Sequence, residues 1–265
     1  MTLALWKILV LAVVQGFTEF LPISSSGHLV VLSALLTNGD PSQLEIGDLS
    51  VVLHVGTLLS IIVFFWRRIW RLLGSDRRTI WLLAIGTVPA VVIGLSIELT
   101  CKHLIENPLL AGLMLPITGL ILLWAARELQ GKGQYNDLTA RQAFGIGVAQ
   151  ALAILPGISR SGTTISTGLK LKMAPKEAAT FSFLLAIPAI GGAGLLKALS
   201  AYKHGGLATP WQHLVLGGGV SFLVGIVALF WLINWLERGR LRLFAWWCIP
   251  LGVAVTIWQV WLLTH

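Results

Sequence analysis

Long apolar runs separated by short polar segments dominate the pattern of this chain. A hydrocarbon core of about 30 Å is crossed by roughly 20 residues of helix, since each residue rises about 1.5 Å. Six of the runs approach or exceed that length, at about 49–66, 79–97, 108–126, 178–198, 211–235 and 243–263. The pattern therefore predicts six transmembrane helices in an all-α, polytopic membrane protein.

Two other apolar segments are interrupted by polar loops rich in serine and glycine. The apolar arms are short, at about 3–17 and 29–36 around the first loop and 143–155 and 163–172 around the second. Each arm is too short to cross the membrane, and irregular backbone at membrane depth is tolerated where it lines a protein cavity. We therefore expect two re-entrant helical hairpins, with tips at about 22–27 and 156–162.

The two loops repeat one another at an offset of 135 positions, which pairs Gln15 with Gln150, Ser24 with Ser159, Ser26 with Ser161 and Gly27 with Gly162. At the same offset, Ser25 corresponds to Arg160 and His28 to Thr163. Three predicted helices lie between the hairpins, and an odd number places the hairpins on opposite faces. The sequence thus predicts one membrane domain of two inverted halves, about 1–126 and 143–265, whose loops meet near the midplane.

Composition and charge support the membrane assignment and give an orientation. Of the residues, 56% are hydrophobic and 11% charged, with a mean hydropathy of +0.83. The net charge of +8 arises from short loops and forms no nucleic-acid-binding stripe. Fourteen of the nineteen basic residues fall on one predicted face, which the positive-inside rule makes cytoplasmic. The first hairpin then opens outward, and the second opens to the cytoplasm.

The loops carry the groups expected of a phosphate-binding cup. Arg160 is a planar cation suited to bidentate binding of phosphate oxygens. Hydroxyl groups, glycine backbone amides and the positive ends of the following helices would surround the same anion. The predicted substrate-binding residues are Ser24, Ser26, Gly27, Ser159, Ser161, Thr163 and Thr164.

The first loop adds groups suited to phosphoryl transfer. Gln15 and Glu19 are one helical turn apart, and an amide beside a carboxylate is a partial ligand set for a hard divalent cation, Mg²⁺ or Ca²⁺. Ser25 is a candidate nucleophile, and His28 is a candidate base, acid or phosphoryl acceptor. The sequence does not decide between Ser25 and His28 as the attacking group.

Structural alternatives remain open for several of these residues. Glu19 and Arg160 form a structural ion pair in one reading, and an isolated histidine such as His54 in the first span is more often an interior residue. Inverted repeats with broken helices are also typical of secondary transporters and lipid flippases. The sequence leaves the oligomeric state undecided, a homodimer included.

Both loops resemble the motifs of the bacterial undecaprenyl-diphosphate phosphatases, the bacitracin-resistance proteins. QGFTEFLPISSSGH resembles the first motif of that family and LPGISRSGTT the second. FSFLLAIPA and LHVGTLLSIIVFFWRR are also similar to family segments, so the resemblance covers nearly the whole chain.

The resemblance implies an integral membrane enzyme that acts with divalent cations. Its substrate would be undecaprenyl diphosphate, dephosphorylated to the monophosphate so that the lipid carrier is reused for peptidoglycan and bacitracin loses its target. By the same resemblance, Gln15 and Glu19 are associated with the metal, Ser25 and His28 belong to the catalytic group, and Ser159, Arg160 and Thr164 bind or orient the diphosphate. The family's active site is considered to face the outside of the cell.

Overall fold

The structure, a computed structural model, describes residues 5–36, 46–105, 107–203 and 210–264. Most of the acidic loop that follows the first hairpin, residues 37–45, lies outside these ranges. Over the described residues the chain is α-helical, with one 3₁₀ turn, Tyr135–Asp137, and no strand. The helices are α1 Leu5–Thr18, α2 Ser25–Leu36, α3 Ile46–Phe64, α4 Trp66–Leu73, α5 Arg77–Thr100, α6 Lys102–Ile105, α7 Pro108–Ala125, α8 Ala140–Leu152, α9 Arg160–Lys170, α10 Pro175–Lys203, α11 Trp211–Glu237 and α12 Arg242–Thr264.

The helix lengths confirm a multi-pass membrane protein. Five helices are long and apolar enough to span a membrane: α5, α7, α10, α11 and α12. The predicted first span corresponds to α3, which joins α4 through a bend of 74° at Phe65 and counts as a sixth span with it. Prolines inside α5, α7, α10 and α12 leave these helices continuous.

One segment differs from the sequence-based expectation. The basic stretch 67–78, which separates the first two apolar runs, is expected from its composition to be a loop, but its first part lies in the eight-residue helix α4. The side chain of Arg68 pairs with Glu177 at 3.4 Å and lies over the ring of Tyr135 at 5.6 Å. These contacts join Arg68 of α4 to α10 and to the 3₁₀ turn at Tyr135, in a stretch whose composition alone indicated a loop.

The basic loops meet at one end of the molecule. Arg78 donates to the backbone carbonyls of Asn136 and Leu138, the latter at 2.6 Å. Lys170 and Lys172 both pair with Glu128, and Lys176 pairs with Glu237 at 3.5 Å. The predicted cytoplasmic loops therefore form one connected, positively charged surface.

The order of helices repeats at the offset found in the sequence. Shifting by 135 positions carries α1, α2, α3, α5 and α7 onto α8, α9, α10, α11 and α12. Each half thus consists of a pair of short helices followed by three long ones. The opposite orientation of the halves in the membrane stays a prediction.

The short helix pairs pack against long helices of both halves. Helices α1 and α2 contain 14 and 12 residues, about 21 and 18 Å at 1.5 Å per residue, so neither crosses a membrane core alone. The first pair packs against α3, α7 and α11, and the second pair against α5, α7 and α10. Their connecting turns face one another, and this contact creates the candidate site.

Candidate active site

Glu19 lies at the centre of the polar cluster where the two turns meet. Its side chain is 6% exposed. Arg160 Nη2 donates to carboxylate oxygen Oε1 at 2.7 Å, while Ser25 Oγ donates to Oε2 at 2.6 Å. Gln15 Nε2 donates to the same Oε2 at 3.1 Å. The carboxylate therefore joins an arginine from the second hairpin to a hydroxyl and an amide from the first.

The local backbone explains why these groups converge. Glu19 follows α1 and still donates its backbone N–H to the Gln15 carbonyl at 3.0 Å, which keeps the two side chains on one face. Ser24 has φ of +71°, a left-handed conformation that sharply turns the chain. Ser25 then begins α2, and the reversal returns its hydroxyl to the carboxylate six residues earlier.

Arg160 occupies the corresponding first position of α9. Its guanidinium lies over the ring of Phe183 at 5.9 Å from the ring centre. Phe183 is itself buried against Phe20 and Phe65, so the arginine rests on a fixed aromatic surface. Its Nη1 is buried and has no hydrogen-bond partner within the described ranges. One nitrogen holds Glu19, and another remains available for an anionic ligand.

The side chain of Ser24 joins the two turns directly. Its Oγ accepts from the backbone N–H of Gly27 at 3.2 Å, as a helix cap, and from the backbone N–H of Gly157 at 3.1 Å. Gly157 has φ of +93°, and a Cβ there would overlap the carbonyl oxygen of Ala111. A Cβ on Gly27 would lie 2.9 Å from the Gly157 Cα. Glycine is therefore needed at 27 for the close approach of the turns, and at 157 for the left-handed backbone and for the packing of the second turn against α7.

The remaining hydroxyls of the predicted phosphate cup already have protein partners. Ser159 caps α9 by accepting from the Gly162 N–H at 3.0 Å, and its Oγ lies 3.2 Å from that of Ser161. Thr163 Oγ1 donates to the Ser159 carbonyl at 3.0 Å, and Thr164 Oγ1 lies 2.6 Å from the Ser182 hydroxyl. These four residues are buried. Ser26, half-buried, lies 3.3 Å from the Ser24 Oγ. Direct substrate contacts of these groups stay predictions.

His28 lies next to the turn, but its ring is engaged elsewhere. Nδ1 donates to the Ser24 carbonyl at 2.7 Å, and Nε2 accepts from the indole N–H of Trp247 at 2.9 Å. The two rings are stacked with an interplanar angle of 9°. A role of His28 in phosphoryl transfer stays a prediction, and in this arrangement it requires release of the indole.

His54 is a polar neighbour that the sequence reading favoured as an interior residue. The structure places its Nε2 3.7 Å from Glu19 Oε2, with 31% of its side chain exposed. The signal that points to it is its position: an ionisable residue in a membrane-spanning helix faces a polar interior more often than lipid. His54 therefore joins the set formed by Gln15, Glu19, Ser25 and Arg160.

The cluster offers a partial ligand set for the predicted divalent cation. Gln15 Oε1 is buried without a hydrogen-bond partner among the described residues, next to the Glu19 carboxylate. No group of three or more histidine, cysteine, aspartate or glutamate side chains suited to a metal occurs in the ranges described. One carboxylate and one amide oxygen suit a Mg²⁺ ion that keeps several waters and also binds substrate phosphates.

Comparison with known proteins gives a consistent result over nearly the whole chain. The model of the family "Bacitracin resistance protein BacA" matches residues 8–254. "Undecaprenyl-diphosphatase" of Rhodopirellula baltica is 49% identical over 255 residues, covering 95% of this chain and 96% of that protein. "Undecaprenyl-diphosphatase" of Pelotomaculum thermopropionicum is 36% identical over 263 residues, covering 96% and 97%. The matched region contains both turns and every residue of the polar cluster, and the chain therefore belongs to the bacitracin resistance protein BacA family.

Proposed function

We propose that this protein is an integral membrane phosphatase that removes the terminal phosphate of undecaprenyl diphosphate, the substrate indicated by the names of its relatives. The observation that carries the proposal is the Glu19 cluster, in which a serine hydroxyl and an arginine share one buried carboxylate. Serine, a base and an arginine are the groups that phosphoryl transfer requires: a nucleophile, a proton acceptor and a cation for the phosphate charge. Such an enzyme would recycle the lipid carrier and confer resistance to bacitracin.

Ser25 is the nucleophile that the contacts favour over His28. Its Oγ–H already donates to Glu19 Oε2 at 2.6 Å, whereas both nitrogens of His28 are occupied. As Oγ bonds to the terminal phosphorus, its proton passes to Glu19 and the bond to the bridging oxygen breaks, releasing undecaprenyl phosphate. Water then attacks the phosphoserine; phosphate leaves, and the serine oxygen recovers a proton. Arg160 binds the phosphate oxygens through its uncommitted nitrogen.

A divalent cation fits the same site as a partner of the diphosphate. Gln15 Oε1 and the Glu19 carboxylate would hold it, with water and phosphate oxygens completing the shell. The ion would neutralise phosphate charge. We expect chelation to reduce phosphate release and Gln15→Leu to raise the metal concentration required. An unchanged metal dependence in Gln15→Leu would assign the ion to other ligands.

The site is proposed to open to the periplasmic side of a bacterial inner membrane. The connected basic surface supports this orientation because lysine- and arginine-rich loops remain in the cytoplasm. A single cysteine introduced at Lys132, within this surface, tests the orientation in a background with Cys101 and Cys248 replaced. It should react with an impermeant maleimide only after the cells are opened. Labelling in intact cells would contradict the proposed orientation and place this surface outside the cytoplasm.

Phosphate release by the purified protein tests the activity. The protein in detergent is incubated with farnesyl diphosphate and Mg²⁺ in the absence of any gradient. Release of phosphate supports the enzyme, whereas binding without hydrolysis supports the transporter alternative. Ser25→Ala should lower kcat by at least about 10³-fold, as removal of a nucleophile does. Ser96→Ala, which removes an exposed serine hydroxyl of α5 that bonds to its own helix, is the control.

Trapping with terminally labelled substrate separates the two candidate nucleophiles. A phosphoserine at Ser25 is acid-stable, whereas a phosphohistidine is acid-labile. Acid-stable label at Ser25 is the expected outcome. Acid-labile label at His28 would contradict the mechanism.

A further inference from the structure

A basic cavity lies at the end of α7, on segments that carry none of the residues of the Glu19 cluster. Its volume is about 300 Å³. Helix α7 contains 18 residues and is therefore about 27 Å long, close to the thickness of a hydrocarbon core. The residues that follow Ala125 consequently lie at the depth of the lipid headgroups. The cavity is lined by Arg127, Glu128, Gln130, Gly131, Lys132 and Lys172.

Two segments form the cavity, and backbone contacts hold them together. Gly133 donates its N–H to the Lys172 carbonyl at 2.9 Å, and its own carbonyl accepts from the Ala174 N–H at 2.9 Å. A Cβ at Gly131 would overlap the carbonyl oxygens of Lys172 and Met173, so the segment after α7 and the turn after α9 are in direct contact. The walls of the cavity are therefore set by the backbone as well as by the long basic side chains.

The cavity carries more positive charge than its one carboxylate compensates. Glu128 is shared by Lys170, at 3.1 Å, and Lys172. Arg127 and Lys132 are exposed, and neither forms an ion pair in the part of the chain that the structure describes. A guanidinium and an ammonium group without carboxylate partners, at the border of one cavity, favour an anionic ligand such as a phosphate.

An apolar stripe on α7 leads from the bilayer to this cavity. Ile117, Leu120 and Trp124 are exposed and lie three or four residues apart, so they share the lipid-facing side of the helix. Arg127 follows Trp124 by three positions. Tryptophan favours the membrane interface, and Lys170 lies over the Trp124 ring at 3.8 Å from the ring centre. A soluble anion would make no use of the stripe, whereas the acyl chains of a lipid would lie along it.

We propose that this cavity binds the phosphate headgroup of an anionic phospholipid. Arg127 and Lys132 pair with the phosphate oxygens, and the acyl chains lie against α7. The lipid then joins the end of α7, in the first half of the chain, to the turn after α9, in the second half, and stabilises the folded protein. The proposal does not depend on the phosphatase function.

Thermal unfolding of the whole protein in neutral detergent, with added lipid, tests the site. Phosphatidylglycerol is anionic and should raise the melting temperature at lower concentration than phosphatidylcholine with the same acyl chains, which is zwitterionic. A basic residue near a membrane surface contributes about 1 kcal/mol, or about fivefold in affinity. The double variant Arg127→Gln, Lys132→Gln should therefore need about 25-fold more phosphatidylglycerol for the same shift. The exchange Arg127→Lys, Lys132→Arg keeps both charges and should retain the wild-type affinity.

The matched control removes the same charge from exposed arginines that do not line the cavity. Arg71→Gln with Arg77→Gln should keep the wild-type affinity for phosphatidylglycerol. An equal loss in this control would assign the effect to overall charge and overturn the site, as would wild-type affinity in Arg127→Gln, Lys132→Gln. Inorganic phosphate should not reproduce the stabilisation; if it does, the ligand is a soluble anion and not a lipid. Without lipid, both glutamine variants should keep the wild-type melting temperature and release phosphate from farnesyl diphosphate at the wild-type rate.

Discussion

The contact between Glu19 and Arg160 allows stability to be separated from activity. Their side chains are 6% and 15% exposed, and the ion pair at 2.7 Å links the two turns. Removing one partner of a buried pair leaves an uncompensated charge and costs about 3–5 kcal/mol. We therefore expect Glu19→Gln and Arg160→Gln each to destabilise the protein by that amount.

The double variant should behave differently. With both charges absent, the two amides hydrogen-bond across the turn interface, and the double variant should unfold within about 1–2 kcal/mol of the wild type. The coupling free energy then amounts to several kcal/mol. Chemical unfolding in detergent, followed by tryptophan fluorescence, measures it. Phosphate release should be abolished in all three variants, because each lacks the proposed proton acceptor, the cation, or both.

An exposed ion pair provides the matched control. Lys176 and Glu237 lie 3.5 Å apart with side chains 56% and 48% exposed, so the same cycle should give a coupling below about 1 kcal/mol. Additive losses in the Glu19 and Arg160 double variant would refute the reasoning. They would mean that water solvates each charge fully and that other contacts hold the turns together.

Three further predictions concern packing, the aromatic contact and pH. Gly147→Ala should destabilise the protein by about 1–3 kcal/mol in unfolding experiments, because the added Cβ would overlap the Gly86 carbonyl oxygen. Gly145→Ala is the control on the same helix: its added Cβ would meet open space, so the change should be neutral or stabilising. Trp247→Phe removes the indole donor to His28 Nε2, and because the proposed mechanism uses Ser25 and Glu19, kcat should stay as close to the wild-type value as in Trp246→Phe. A kcat lowered in Trp247→Phe alone would give His28 a part in the reaction. Hydrogen bonds from Lys172 and, to a lesser extent, from Lys170 lower the pKa of Glu128. The charged carboxylate therefore stabilises the fold above the pKa of the unfolded chain, and this stabilisation is lost as the pH falls through the lower pKa of the folded protein. The melting temperature of Glu128→Gln should lack this acid-dependent step.

Much of the fold follows from hydrophobic length alone. Runs of 18 or more apolar residues predict spanning helices, and five of the six predicted runs are single helices of sufficient length. The break at Phe65 and the helix α4 were not predictable from length, because a continuous apolar run gives no sign of a 74° bend and the contacts of Arg68 with Glu177 and Tyr135 join distant segments. Local composition at this stretch favours a loop, and tertiary contacts override it.

The candidate site shows the same division between local and long-range information. The spacing of Gln15 and Glu19 placed both on one helical face, and the hydrogen bond between them at 3.1 Å agrees with that inference. The repeat indicated that the two turns meet, as the bond from Gly157 to Ser24 shows. For His54 the sequence gave only the weaker signal of an ionisable residue within a membrane-spanning helix, because its approach to Glu19 depends on the packing of α3.

The run of three serines shows where sequence reasoning ends. Ser24, Ser25 and Ser26 are chemically identical, yet the first caps α2 and joins the turns, while the second donates to Glu19. The left-handed φ of Ser24 sets where α2 begins, and each step along a helix rotates the side chain by about 100°. A helix that began one residue later would turn Ser25 away from the carboxylate. Which serine contacts Glu19 therefore depends on the left-handed turn at Ser24, whose Oγ also accepts from the Gly157 N–H of the second turn.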